Sequence, residues 1–168
     1  MRVAVTGTPG TGKTTASERV ETDLDVIHLN DVITREGLTQ GIDDDRDSAI
    51  ADLDAVETWL DDRDDVLVES HLAHHLPMDR VIVLRCHPET IEERLVEGGE
   101  GEQSAEENAE SEALDVILAE AVDEHGSDSV YEIETTDRSP SSVAEEIEAV
   151  VEGDREPSAG SVSYIEYL

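Results

Sequence analysis

Lysine is almost missing from this chain of 168 residues: Lys13 stands alone beside ten arginines. Phenylalanine is absent, and Trp59 and three tyrosines are the only aromatic side chains, so any core must be built from aliphatic residues. The single cysteine, Cys86, excludes an internal disulfide and reads as a small buried apolar residue. No apolar run approaches the length that crosses a bilayer, which excludes a membrane-spanning helix. The chain begins directly with a strand-like "RVAV", and no signal peptide is expected. Cations of any kind are scarce. With 44 acids against 11 lysines and arginines the formal charge is −33 and the pI about 4.1, which argues against broad, nonspecific binding to nucleic acid.

Such a charge fits either a disordered chain, in which self-repulsion and thin hydrophobicity cannot offset chain entropy, or a folded one in concentrated salt. The acids here are scattered over every segment and interleaved with patterned apolar runs such as "VLV" and "VIVL". That interleaving predicts a folded, soluble protein with an acidic surface. Scarce lysine with retained arginine fits the salt-rich cytoplasm of halophilic archaea, and a cytoplasmic location is expected.

Five short apolar runs read as strands: "RVAVTG", "DVIHL" (25–29), "DVLVES" (65–70), "DRVIVLR" (79–85) and "SVYEIET" (129–135). Helical patterns separate them. Residues 30–62 look helical with a break near "QGIDDDRDS"; Pro88 opens "PETIEERLVEG"; "GGEGEQS" (98–104) is an exposed glycine-rich break. One long helix, "AEENAESEALDVILAEAVDEHG", is expected next, and a closing helix, "SPSSVAEEIEAVVEG", has serines suited to its N-cap. Alternating strands and helices predict an α/β fold: a five-stranded parallel sheet flanked by helices. The tail ends in Tyr164, Ile165, Tyr167 and Leu168, which suits packing back onto the domain or docking to a partner.

The lone lysine lies in "GTPGTGKTT". Gly7-x-x-x-x-Gly12-Lys13-Thr14 is a complete phosphate-loop motif, placed between a buried strand and a helix as that motif requires. Its glycines, Gly10 among them, let backbone amides close around phosphate oxygens. Lys13 would reach the β- and γ-phosphates of ATP as a compact point charge, Thr14 would offer a hydroxyl to Mg²⁺, and Thr15 would hold the α-phosphate. Glu69 ends the third apolar strand, where P-loop enzymes place an acid that holds a Mg²⁺-bound water or acts as a base; His71 is two residues on, positioned to help orient the attacking group. His71, His74 and His75 together suggest zinc, but a clear fourth ligand is missing, and His74 and His75 are expected to be loop or surface histidines.

"TGTPGTGKTT", the acid-x-His step after the third strand, and "VLRCHPETIEERL" with glycines after it resemble the adenylate-kinase-related broad-specificity nucleoside monophosphate kinases. This is the archaeal and nuclear branch whose members also act as ATPases in small-ribosomal-subunit maturation. The resemblance implies a P-loop NTPase domain over residues 1–152 with a monophosphate-binding insert at about 29–52 and a lid at about 98–108, followed by a tail at 153–168. It also implies ATP, Mg²⁺ and a nucleoside monophosphate as ligands, and a small-subunit ribosomal protein as a partner. The chain departs from the family in carrying Glu69 where an Asp is usual, and Gly98-Gly99-Glu100 where the lid normally has an Arg-Gly-Tyr step.

Catalysis of phosphoryl transfer rests on positioned cations. Arg94, on the helix entering the lid, is the nearest substitute for the missing arginine. Arg35 in the first insert and Arg85 at the end of the fourth strand are candidates for the substrate phosphate, and Arg138 for the adenine side. Asp31, Asp47 and Asp52 are candidates for a ribose or base. Arg2, Arg19, Arg63, Arg80 and Arg155 are expected to be surface ion-pair partners. Three readings follow: transfer from Mg-ATP to a nucleoside monophosphate, an assembly ATPase acting on a ribosomal partner, or a kinase of another small metabolite such as shikimate.

The charge density yields a first prediction. Thermal unfolding followed by circular dichroism should show a melting temperature that rises steeply between dilute buffer and molar KCl, where the Debye length falls to about 3 Å. A melting temperature indifferent to KCl would contradict the acidic-surface reading.

Overall fold

The aliphatic runs become strands because each is covered on both faces. In the computed structural model, which describes residues 1–43 and 48–168, β1 (Arg2–Thr6) is the central strand, with Val3, Ala4 and Val5 wholly buried. Around it β2 (Asp25–His28), β5 (Val66–Glu69), β6 (Arg80–Arg85) and β7 (Val130–Glu134) form a sheet of order β2-β5-β1-β6-β7, every pairing parallel. The period of two assigns the faces. Ala4, Val66, Val68, Val81, Val83 and Val130 point to one side; Val3, Val5, Leu67, Ile82, Leu84 and Ile133 point to the other.

The first face is covered by α2 (Leu29–Glu36), α3 (Leu53–Leu60) and α6 (Val116–His125), through residues such as Val32, Val56 and Leu118. The second takes Ala16 of α1 (Lys13–Ser17) and Val143, Ile147 and Val150 of α7 (Pro140–Glu152). Helix starts follow local chemistry. Ser139 accepts from the Ser142 amide with Pro140 in the first turn, and α4 (Pro88–Glu97) opens on Pro88. No helix among the described residues is long and apolar enough to cross a membrane.

Two stretches differ from the sequence expectation. Within 30–62, β3 (Thr39–Asp43) and β4 (Ser48–Ala51) form an antiparallel hairpin between α2 and α3. Asp52 caps α3 by accepting from the Ala55 amide at 3.2 Å, so its carboxylate is engaged in holding the helix start; Asp47 lies outside the described residues. The expected long helix is two: α5 (Glu102–Ala113) and α6, broken at Asp115, whose backbone is left-handed (φ 56°). The break places the Asp115 carboxylate against Arg85.

That arginine corrects another expectation. Arg85 is wholly buried and spends its guanidinium on Glu132, Asp115 and Glu112, the last at 3.3 Å from Nε. Burial alone would weaken its hold on a proton; the three carboxylates more than offset this and raise its pKa. With no exposed surface it has nothing to offer a substrate phosphate. It is a structural cation joining β6, β7 and the α5–α6 junction.

The tail returns to the sheet. The Ser158 amide donates to the Val130 carbonyl at 3.0 Å, the Ser161 and Val162 amides donate to the Glu132 carboxylate, and Tyr164 is buried against Arg85 and His87. Tyr167 donates to Glu92 at 3.2 Å.

Replacing Arg85 should show its structural role. Arg85→Met leaves three carboxylates facing one another without a cation, and denaturant unfolding in molar KCl should report a loss of about 3–5 kcal/mol. A loss below about 1 kcal/mol would mean that the network is solvated and dispensable.

Candidate active site

The phosphate loop leaves β1 through a conformation that glycine alone permits. At Gly7 (φ 150°) a Cβ would fall 2.7 Å from the Leu84 carbonyl oxygen, and Gly12 enters α1 in the left-handed region (φ 90°). The first amides of α1 have no helical acceptor and are free for an anion. Lys13 lies beneath the loop, 9% exposed, with its ammonium donating to the Thr8 carbonyl at 3.2 Å. Desolvation lowers its pKa to about 8, against the opposing pull of Glu69 and Glu112.

Beside it the Thr14 hydroxyl donates to Oε1 of Glu69 at 2.8 Å, and Nδ1 of His28 lies 3.0 Å from the same oxygen. Glu69 is nearly buried and ends β5, in register with His28 at the end of β2. A hydroxyl and a carboxylate side by side are hard oxygen donors that suit Mg²⁺. The extra methylene of Glu69 therefore does not keep the acid away from the loop.

The loop opens on two sides. Towards α7 is a cavity of about 240 Å³ whose walls include Thr15, Arg94, Thr135, Arg138 and Val143. Towards α5 lies a larger one, about 1100 Å³, whose walls include Thr8, His71, Asn108 and Ser111. Burial, and next the charge of Lys13, push the His71 pKa down to about 4, so its imidazole is neutral at physiological pH. A shallower hollow of about 320 Å³ is lined by Gly10, Gly12, Lys13, Thr14, Thr15 and Arg94.

The sequence candidates separate accordingly. Gly10, Gly12, Lys13, Thr14, Thr15, Glu69, His71 and Arg94 gather at the loop, Arg94 through a 3.1 Å hydrogen bond from its guanidinium to the Gly10 carbonyl. Arg138 borders the smaller cavity, held by Ser142 and Glu146. Asp31 and Arg35 border a separate groove of about 380 Å³ with His28, Trp59 and Arg63, and Arg35 pairs with its neighbour Glu36. His74, expected in a loop or at the surface, lies in the turn after β5 but is buried there, with the Thr6 hydroxyl on β1 engaging its Nδ1 at 2.8 Å.

Three residues here escaped sequence reading. His28 was legible only as part of the second strand; the fold sets it beside Glu69. Thr135, the residue after β7, donates to the Thr11 carbonyl at 2.9 Å and braces the loop. Glu112 of α5 accepts from the Thr8 hydroxyl at 3.1 Å and from the Cys86 amide at 2.9 Å, linking α5 to the phosphate loop. Burial raises the Glu112 pKa.

Comparison with known proteins agrees with this geometry. An AAA domain model matches residues 3–115. A protein of Natronomonas pharaonis named "Putative adenylate kinase" is 65% identical over the full length of both chains. Relatives of the same name from Halobacterium salinarum, over the full length of both, and Methanosarcina acetivorans, over 90% of this chain and 87% of its own, are 62% and 40% identical. The chain belongs to the adenylate-kinase-related family. At the level of this family it is a P-loop kinase, a phosphotransferase. The fold is shared more widely. A shikimate kinase from Bacteroides thetaiotaomicron superposes with a TM-score of 0.58 at 14% identity over 90% of this chain and 98% of its own. A sulfotransferase from Alicyclobacillus acidocaldarius does so at 0.53 and 14% over 98% and 86%.

The buried ammonium gives this kinase a pH signature. In the empty site Lys13 loses its proton as pH passes about 8, whereas phosphate oxygens beside it restore the charged form. ATP binding at about pH 9 should therefore take up close to one proton, and affinity should fall above pH 8. Calorimetry in two buffers of different ionisation enthalpy measures the uptake, which should vanish below about pH 7. Uptake unchanged in Lys13→Met would contradict the assignment.

Proposed function

We propose that this protein transfers the terminal phosphoryl group of ATP to a nucleoside monophosphate, giving two diphosphates. The observation that carries the reading is a phosphate loop with a buried ammonium and a Thr14–Glu69 oxygen pair, set between two cavities of unequal size. The family membership supports it.

In this reading Lys13 and the loop amides grip the polyphosphate, and Thr15 holds the α-phosphate. Thr14 and, through water, Glu69 hold Mg²⁺, which supplies charge neutralisation on the phosphates. Arg94 and Arg138 flank the donor nucleotide, and Asp31 and Arg35 of the first insert serve the acceptor. His71, neutral and partly buried, orients the acceptor oxygen by hydrogen bonding rather than by charge. The glycine-rich lid at 98–108 and α5 close over the larger cavity and exclude water, so that transfer outcompetes hydrolysis.

A second activity can coexist: ATP hydrolysis coupled to assembly of the small ribosomal subunit through a basic ribosomal protein. The lid residues 98–108 contain no arginine, which favours this addition, because a less cationic lid gives water more access to the transferring group.

The test is ADP formation in multi-molar KCl with Mg-ATP, alone and with AMP, CMP, other monophosphates or shikimate. A monophosphate should stimulate turnover, and Lys13→Met should lower kcat by about a thousandfold, the scale of losing a transition-state charge contact. Stimulation by a basic ribosomal protein and by no monophosphate would favour the assembly activity. Stimulation by shikimate alone would overturn the nucleotide-acceptor reading, and full turnover in Lys13→Met would overturn both.

A further inference from the structure

Across the larger cavity from the phosphate loop, a second cluster of donors has no part in the chemistry above. The turn after β5 carries His74 and His75, and α6 brings Glu120 opposite them. Nε2 of His74 lies 3.3 Å, and Nε2 of His75 3.1 Å, from the same carboxylate oxygen, Oε2 of Glu120. All three donor atoms lie within 4.8 Å of one another. The other ring nitrogens are engaged. Nδ1 of His74 meets the Thr6 hydroxyl at 2.8 Å, and Nδ1 of His75 meets Oε1 of Glu124 at 2.6 Å.

This is the arrangement in which an outer acceptor fixes the tautomer of a metal-binding histidine. When each Nδ1–H is donated outward, both Nε2 lone pairs face one carboxylate oxygen, and a cation between them satisfies all three; with the proton on Nε2 the same atoms hydrogen-bond directly. The spacing suits the ion. With zinc–ligand distances of about 2.0–2.1 Å, the edge of a tetrahedron is about 3.3 Å, close to both nitrogen–oxygen separations. The turn is further pinned to α6 by His125, whose Nε2 donates to the His74 carbonyl at 2.7 Å. His74, His75 and Glu120 all border the cavity that holds His71 and Thr8, so the fourth position of a tetrahedral ion faces open space rather than protein.

We propose that His74, His75 and Glu120 form a binding site for a divalent transition metal of the zinc class, joining α6 to the turn that follows Glu69 and His71. Two imidazoles and one carboxylate select Zn²⁺, Co²⁺ or Ni²⁺ over Mg²⁺, which prefers an all-oxygen shell. The site is thereby chemically distinct from the Thr14–Glu69 pair. Bound metal would cross-link the loop carrying His71 to the helix across from it, and would stabilise the fold by binding the native state alone.

The test uses the full chain in molar KCl with excess Mg²⁺ to saturate exposed carboxylates. Co²⁺ alone is titrated, the visible d–d bands of low-coordinate cobalt are followed, and Zn²⁺ is then added to displace it. One equivalent of Co²⁺ should bind with intense bands. His75→Ala and Glu120→Gln, both at partly exposed positions, should each weaken binding at least tenfold, the scale expected for a lost ligand. Zn²⁺ should raise the melting temperature of the parent chain and not of either variant. Absence of the bands, or equal Co²⁺ affinity in the parent and in a variant with an unchanged circular dichroism spectrum, would overturn the site.

Discussion

A desolvated ammonium at the mouth of a parallel sheet is the constraint around which this molecule is arranged. Lys13 is buried where a charge is costly, and its lowered pKa measures that cost. The position persists because surrounding elements hold the loop that encloses it. Leu84 of β6 crowds Gly7, Thr135 just after β7 braces Thr11, and Glu112 of α5 engages Thr8. Each of these residues lies far from the loop in sequence. The loop's shape is thus a property of the whole sheet edge, and in the proposed function the cost of burying Lys13 would be offset by the phosphate oxygens it meets.

The parts of the fold legible from sequence are those whose physics is local. Val3, Ala4 and Val5 had to form a continuous aliphatic run because β1 is covered on both faces, and the same holds for "VLV" and "VIVL". The phosphate loop was legible because its glycines, lysine and threonine are consecutive. The β3–β4 hairpin was legible only as a break in the helical pattern near "QGIDDDRDS", since it carries no clean alternation that would mark its strands. The break at Asp115 was hidden for another reason: a helix-compatible residue takes a left-handed backbone there in order to reach Arg85, a partner 30 residues away.

Site residues divide in the same way. Glu69 was legible as an acid ending an apolar strand. Glu112 was not, although it contacts the loop itself, because it is one of 44 acids and only the fold sets it apart. Arg85 failed in the opposite direction. A strand-end arginine at the ligand-binding edge of an α/β sheet reads as a phosphate ligand, but its side chain turns inward to Glu112 and Glu132. His74 and His75 could not be matched to Glu120, which lies 46 residues beyond the first of them.

Four of the ten arginines show what that side chain does for the fold. Arg2 spans the carbonyls of Leu60, Asp61 and Arg63; Arg63 stacks on Trp59 at 3.8 Å and donates to its carbonyl; Arg80 closes the end of α7 on Val150 and Val151; Arg138 gathers Glu134, Ser142 and Glu146. Arg2 also keeps an ion pair of the expected kind, with Asp64 at 3.7 Å, but these roles rest mainly on the planar fork, which satisfies several acceptors at once or lies flat on a ring. An ammonium can do neither as well and holds its hydration more strongly. At the phosphate loop the preference reverses: the buried Lys13 ammonium is a compact point charge beneath the Thr8 carbonyl, which the planar fork of an arginine does not reproduce. Lysine thus stands where a point charge enters the phosphate loop, and these four arginines stand where a cation joins elements of the fold.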